Sequence, residues 1–341
     1  MFDVRLFSVR CSACKEYFAE ATGGVVMQRF NRIIILVLLL ISFWASSVNA
    51  AQELTLILDW FPNVDHLPIY VAQHRGFFAD EGLEIKIISP SETSDALKLA
   101  AAGQVDLAVS YEPQTIIAAA RGLDVVVIGR LIEHPLTTLL FLKGRGIRVP
   151  QDLEGKKIGY TVPGLMDVLL DAFARLNGIQ QYERINVGFA IVQSLTAGKV
   201  DAVMGPFKTY ETVTMADKGY DVGYFELEKW GIPDYDELVF VSSKKTLQNK
   251  EASLGAFQRV IERAIEYTRK NSETALKNYL TQVPEADSKI ETAAFQLTLP
   301  YYATRQELDV KRWQQFADFA LQYGLVEKKV DVTDILWAQG R

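Results

Sequence analysis

The sequence predicts an α/β protein of two lobes, each built on a mixed, mostly parallel sheet, with a ligand cleft between them. Three observations lead there. Strand-forming runs alternate with helical periodicity from Leu54 to Ile128, the order that parallel βαβ units require. The same alternation restarts after Pro150. One segment is also echoed: Ala102-Gly103-Gln104-Val105-Asp106-Leu107-Ala108-Val109 reappears as Ala197-Gly198-Lys199-Val200-Asp201-Ala202-Val203-Met204. Each copy reads as a helix end, a capping glycine and a buried strand, so the lobes share one plan. Chance similarity of βα units is the competing reading.

The elements follow in order. Leu54–Leu58 is an apolar run of strand formers that ends at Asp59. A helical pattern covers Leu67–His74, and Glu84–Ile88 reads as the second strand. Glu92–Ala102 is a helix that Gly103 ends, because glycine accepts a left-handed backbone. Asp106–Val109 is the third strand. Pro113 suits a first helical position and opens a helix that runs to Arg121. Val125–Ile128 is the fourth strand. Beyond Pro150, Lys157–Tyr160 is a strand and Leu165–Leu176 a helix. Val192–Lys218 is a helix-strand-helix unit whose second helix is expected to open at Pro206, and Leu238–Ser242 is a further strand. Amphipathic helices are expected near Leu254–Arg269, Glu273–Leu280, Lys289–Leu297 and Val310–Gln322. Lobe one is then residues 51–143 plus 238–341 and lobe two residues 144–237, with crossings near Gly144–Pro150 and Asp234–Leu238.

The N-terminus reads as a targeting segment. Ile33–Phe43 is an apolar run behind Arg29 and Arg32, with a small-residue exit ending at Ala50. Residues 27–50 therefore read as a secretory signal peptide, too short to span a bilayer comfortably, for which about 20 residues are needed. A retained anchor is the alternative. Residues 1–26 read as an upstream extension of the frame, with Met27 the start; N-terminal sequencing of the precursor tests this. Both cysteines, Cys11 and Cys14, lie in that stretch, so the secreted chain would have no disulfide. Removing residues 1–50, which hold five basic and three acidic residues, deepens the formal charge from −6 to −8. An acidic chain without basic runs argues against nucleic acid and anionic membranes as partners.

Catalytic signatures are missing. His66, His74 and His134 have no zinc-site spacing, and neither a Walker loop nor a G-x-S-x-G elbow is present. This favours binding over catalysis, with no metal or cofactor expected. The remaining candidates sit at strand and helix ends, where open α/β sheets bind ligands. They are Asp59 and Trp60 after the first strand, Tyr111 and Glu112 after the third, and Tyr160, Gly164 and Asp167 in lobe two. Tyr210 and Glu211 follow one turn into a helix. Aromatic faces can stack a flat ring, and carboxylates accept from amino groups or protonated ring nitrogens. Singly, each has a plainer reading: Asp59 as a turn residue, Trp60 as core, Glu112 as a charge at a helix start, Glu211 as solvated surface.

Several stretches together resemble the thiamine-pyrimidine precursor family. They are Leu58-Asp59-Trp60-Phe61-Pro62-Asn63 with His66, Gly76-Phe77-Phe78 and Glu81-Gly82-Leu83. Asp106-Leu107-Ala108-Val109-Ser110-Tyr111, Gly155-Lys156-Lys157-Ile158-Gly159-Tyr160 and Tyr235-Asp236-Glu237-Leu238 extend the likeness over about residues 53–325. The glycine-rich elements recur in many type II periplasmic binding proteins; the Asp-Trp opening with its histidine and the Ser-Tyr-Glu-Pro loop are more specific. The resemblance implies the type II periplasmic binding fold. It also implies a branch point. One branch comprises ABC-transporter solute-binding proteins that salvage thiamine pyrimidines. The other comprises synthases that use a lysine, a sacrificial histidine and a cysteine-rich iron site. Those lysine and histidine positions fall on Ser110 and Gln114, and residues 237–242 hold no cysteine, so the binding branch fits and no enzyme is expected.

The resemblance further implies a pyrimidine stacked by Trp60 and Tyr111 and hydrogen-bonded by Asp59 and Glu211, with His66, Ser110, Glu112, Tyr160, Gly164, Asp167, Tyr210 and Asp236 as further ligand-binding candidates. It implies a periplasmic monomer, without the lipid-bearing cysteine of Gram-positive members, that delivers its ligand to a permease and its ATPase and meets the membrane only through that permease. The same fold binding riboflavin, an alkanesulfonate or nitrate stays open, as do a pyrimidine-synthase-like enzyme and a receptor-type module.

Overall fold

In the computed structural model, which describes residues 51–337, the alternation folds into two five-stranded sheets. Residues 1–50, read as an upstream extension and a signal peptide, lie outside the described residues. In chain order the strands are β1 (Gln52–Ile57), β2 (Leu83–Ile88), β3 (Leu107–Ser110), β4 (Val126–Ile132), β5 (Thr137–Leu142), β6 (Lys157–Tyr160), β7 (Glu183–Asn186), β8 (Ala202–Phe207), β9 (Val222–Glu226) and β10 (Leu238–Ser242). The first sheet runs β2-β1-β3-β10-β4 and the second β7-β6-β8-β5-β9. This is the type II periplasmic binding fold that the sequence predicts.

The sheets are one design used twice. In each, a central strand pairs in parallel with two neighbours, β1 with β2 and β3, β6 with β7 and β8. In each, one antiparallel strand has just arrived from the other sheet. β10 follows β9 and inserts between β3 and β4; β5 follows β4 and inserts between β8 and β9. The echoed segment sits at matching places. Gly103 and Gly198 both hold left-handed φ, 67° and 68°, behind helices Asp95–Ala101 and Ile191–Thr196. The aspartate of each copy ties its strand to the neighbour: Asp106 Oδ2 accepts from Thr55 N at 2.9 Å, and Asp201 Oδ2 accepts from Lys157 N at 2.9 Å.

Two expectations change. The crossing near Gly144–Pro150 falls one strand earlier, at residues 133–136, because Thr137–Leu142 pairs with β8 and β9 rather than with lobe one. All six of its residues are buried, so no alternation marks it as a strand that is inserted between others. Pro206 does not open a helix but lies inside β8; the helix Glu211–Asp217 starts later. A proline there is tolerated because the β5–β8 register shifts between Thr137 and Leu139, opposite this point.

The C-terminal third is helical, as expected. Lys244–Lys270 reads as one helix broken at Lys250 (φ −129°, ψ 27°), which is why periodicity becomes regular only beyond it. Its Phe257 packs on Phe240 of β10 and Phe78, with ring centroids 4.9 and 5.8 Å apart, so this helix closes the core of lobe one. Helices Ser288–Thr298 and Val310–Gln322 follow and bury Phe295 and Trp313.

Candidate functional site

Where β1, β3 and β8 end, residues of both lobes line a small, partly open cavity. The β1 side is built from a short run of sequence. Asn63 caps the turn Val64–His66, its Oδ1 accepting from Asp65 N at 2.8 Å. That turn aims Asp65 and His66 back toward Asp59. The Nδ1 of His66 faces Asn63 N at 3.4 Å, which leaves Nε2 to carry the proton and donate to Asp59 Oδ1 at 2.9 Å. The other oxygen, Asp59 Oδ2, accepts from Tyr111 Oη at 2.7 Å, so β1 and β3 are stitched at the cavity wall. Burial and the adjacent Asp59 carboxylate push the Tyr111 hydroxyl well up, and it stays a donor.

The second lobe supplies the opposite wall. Tyr210 stands at the start of helix Glu211–Asp217 and Glu211 is its first residue, rather than one turn inside as the sequence reading had it. Glu211 Oε2 accepts from Phe207 N at 2.7 Å. Enclosure by protein pushes its carboxyl up to about 7, against the opposing pull of the Phe207 and Glu211 backbone N–H groups. Asp65 is also pushed well above the carboxylate range, by burial first and by Glu211 second. Asp65 Oδ1 accepts from Thr298 Oγ1 at 3.1 Å, while Oδ2 has no partner. Gly205 is needed here, at φ 124°: a Cβ would come within 2.0 Å of Thr161 Oγ1.

Behind the cavity lies a carboxyl that the sequence did not single out. Glu291, on the C-terminal helix Ser288–Thr298 of lobe one, accepts from Tyr210 Oη of lobe two at 2.8 Å. Burial pushes it up to about 7, partly offset by the Tyr210 hydroxyl, and its Oε2 is unpartnered. The cavity lining thus holds Asp59, Asp65 and Glu211 and, among the described residues, no lysine or arginine.

Of the sequence-predicted residues, Asp59, Trp60, His66, Tyr111, Tyr210 and Glu211 line the cavity. Ser110, Glu112, Tyr160, Gly164, Asp167 and Asp236 do not. Ser110 Oγ donates to Gln114 Oε1 at 2.8 Å. Glu112 and Asp236 clamp the second crossing: Asp236 N donates to Glu112 Oε2 at 2.7 Å and Glu112 N to Asp236 O at 3.2 Å. The Asp236 carboxylate is taken up by Arg130 Nη1 at 3.2 Å, Trp313 Nε1 at 2.8 Å and Arg312. Gly164 N donates to Asp167 Oδ1 at 2.7 Å, closing a local turn, and Tyr160 O accepts from Val187 N. The lining residues missed by sequence are Asn63, Asp65, Thr161, Ile191, Gly205, Phe207 and Leu238. Only Asn63 and Asp65 left a signal, as polar residues between Trp60 and His66.

Residues 63–275 match the family described as NMT1/THI5 like. The chain belongs to that family. A Haemophilus influenzae protein named for thiamine biosynthesis is 38% identical over 308 residues, covering 89% of this chain and 95% of the relative. A formylaminopyrimidine-binding protein of Halalkalibacterium halodurans is 33% identical over 245 residues, 71% of this chain and 74% of the relative. The family also reaches enzymes: a 4-amino-5-hydroxymethyl-2-methylpyrimidine phosphate synthase of Saccharomyces cerevisiae is 24% identical over 290 residues, 81% of this chain and 85% of the relative. Among solved structures, the alkanesulfonate-binding protein of Xanthomonas axonopodis pv. citri bound to MOPS superposes with a TM-score of 0.67 at 18% identity, over 84% of this chain and 98% of that one. At that identity the likeness establishes the fold.

Proposed function

We propose that this family member is the solute-binding component of an ABC import system and that its cavity takes a thiamine pyrimidine precursor of the formylaminopyrimidine or hydroxymethylpyrimidine type. The observation that carries the reading is the Glu211 carboxyl, pushed up to about 7 in a cavity whose described lining holds no lysine or arginine. A carboxyl that keeps its proton near neutrality presents one O–H donor beside one C=O acceptor. An aminopyrimidine edge presents the complement, a ring nitrogen beside an amino N–H. Trp60 and Tyr111 add aromatic surface for the flat ring. The relative that is named for binding formylaminopyrimidine supports the same reading.

The charge of the cavity disfavours the other solutes of this fold. A sulfonate or nitrate needs fixed donors or cations, and Asp59, Asp65 and Glu211 offer the reverse. Catalysis of the synthase kind is disfavoured by Ser110 and Gln114 at the reactive positions, where the two side chains bond each other. The apolar run before Ala50 supports export to the periplasm, and the solute-binding reading carries with it delivery to a permease with its ATPase by a monomer.

A thermal-shift screen against formylaminopyrimidine, hydroxymethylpyrimidine, riboflavin, taurine and nitrate tests this. A true ligand at a hundred times its dissociation constant adds about 2.7 kcal/mol of stability. Pyrimidines alone should raise the midpoint. A shift with taurine or riboflavin and none with pyrimidines would overturn the assigned solute.

A further inference from the structure

An aromatic contact crosses from one lobe to the other at Trp60, a residue that lines the cavity. Trp60 and Phe61 follow β1 in lobe one; Phe189 follows β7 in lobe two. The Phe189 ring lies 4.6 Å from Trp60 at 62° and 4.5 Å from Phe61 at 38°. Trp60 also packs against the lobe-two cluster that contains Leu140, Ile191 and Val203. A lobe-one indole that lines the cavity is therefore held by the other lobe, through Phe189 and through this cluster.

The chain invests in placing Phe189. Val187 N donates to Tyr160 O at 3.0 Å, which anchors the loop to β6. Gly188 then turns through a left-handed φ of 48°, with Asn186 Oδ1 accepting from its N–H at 3.0 Å. A Cβ there would meet nothing nearer than 4.0 Å, so the conformation, and not crowding, selects glycine. The tight turn projects Phe189 across the cleft two residues before Ile191, itself a lining residue. Phe189 is only half-buried and Phe61 is 50% exposed, which a group recruited for core packing would not be.

We propose that Phe189 is a positioning residue that clasps Trp60 from the opposite lobe, fixing the indole over the bound ring and holding the cleft shut while ligand is inside. The proposal rests on the reading of this cavity as the ligand site. It assigns Phe189 to retention rather than capture, because the clasp forms only when the lobes meet.

The test pairs stopped-flow binding of formylaminopyrimidine with interlobe distances from spin labels placed on Lys86 and Lys199, exposed positions of opposite lobes. Phe189→Ala should speed ligand release about tenfold or more, leave the association rate within about threefold, and leave the ligand-free melting midpoint unchanged. Phe189→Trp should restore slow release, and Phe189→Leu should fall between. The labels should report a larger open fraction in Phe189→Ala than in wild type, with or without ligand. Unchanged release together with an unchanged label distance overturns the clasp. If wild type binds no pyrimidine, the solute assignment fails by itself, and the label distances alone decide: no widening in Phe189→Ala overturns the clasp.

Discussion

Two groups of carboxyls in this molecule differ in what faces them. At the crossing between lobes, Asp236 meets Arg130, Arg312 and the Trp313 indole, while Asp234 pairs with Arg312 and His134. In the cavity, Asp65, Glu211 and the adjoining Glu291 meet only hydroxyls and backbone N–H groups. The consequence appears in their protonation. The cationic neighbours hold Asp234 below its ordinary range despite its partial burial, whereas burial pushes Glu211 and Glu291 up to about 7 and also raises Glu112 and Glu237 at the crossing. Carboxylates matched by protein cations are part of the hinge. Glu211 differs from Glu112 and Glu237, crossing carboxyls that burial also raises, in that it lines a cavity where a ligand can reach it.

The contrast can be broken at several points, beginning where the effect is largest. Asp236→Ala strands two arginines in a buried setting and should cost about 3–5 kcal/mol in urea unfolding. Glu211→Ala should do the opposite. It should leave ligand-free stability unchanged or raised, yet weaken pyrimidine binding by about 2–3 kcal/mol, near a hundredfold, in calorimetry. Were both variants to lose only stability, the division between hinge and cavity acids would collapse.

Protonation sharpens the comparison further. If Glu211 donates its proton to a ring nitrogen, affinity holds below pH 7 and falls above it, by up to about tenfold per pH unit. Glu211→Gln, which keeps an N–H donor beside a C=O acceptor, should bind and lose that dependence. The ligand-free protein carries the same sign. Carboxyls whose folded pKa is raised give stability that is full below the unfolded value of about 4.3 and is lost as pH climbs through 7. The melting midpoint should therefore decline between pH 5 and 8, and Glu291→Gln should flatten the decline. Smallest of all, Tyr210→Phe removes one hydroxyl from the contact between lobes and should weaken binding by about 1 kcal/mol.

The sequence reading listed Glu112 and Asp236 with Asp59 and Glu211 in one candidate site, and the structure brings only Asp59 and Glu211 of these four to the cavity. Glu112 and Asp236 resemble Asp59 and Glu211 locally: each is acidic, next to an aromatic and beside the end of a strand or helix. What separates Asp236 is its arginine partners, and what separates Glu112 is its bond to the Asp236 backbone N–H. Arg130 lies 106 residues from Asp236 and Arg312 lies 76 residues away. No spacing rule connects such positions. Glu291 was invisible for the same reason, since it looks like any helix carboxyl until Tyr210 of the other lobe reaches it across 81 residues.

The sequence by itself determined the repeated βα plan, the glycines that end its helices, the amphipathic C-terminal helices and the Asp59-Trp60 opening with His66. All are rules of local backbone geometry and short-range periodicity, readable within a window of about ten residues. The tertiary structure alone decided that β5 crosses into the second sheet, that Asp236 is neutralised while Glu211 is not, and that Phe189 comes to rest on Trp60. Each depends on which surfaces meet after the chain has crossed between lobes. Burial and charge compensation are properties of distance in space, which separation along the chain does not encode.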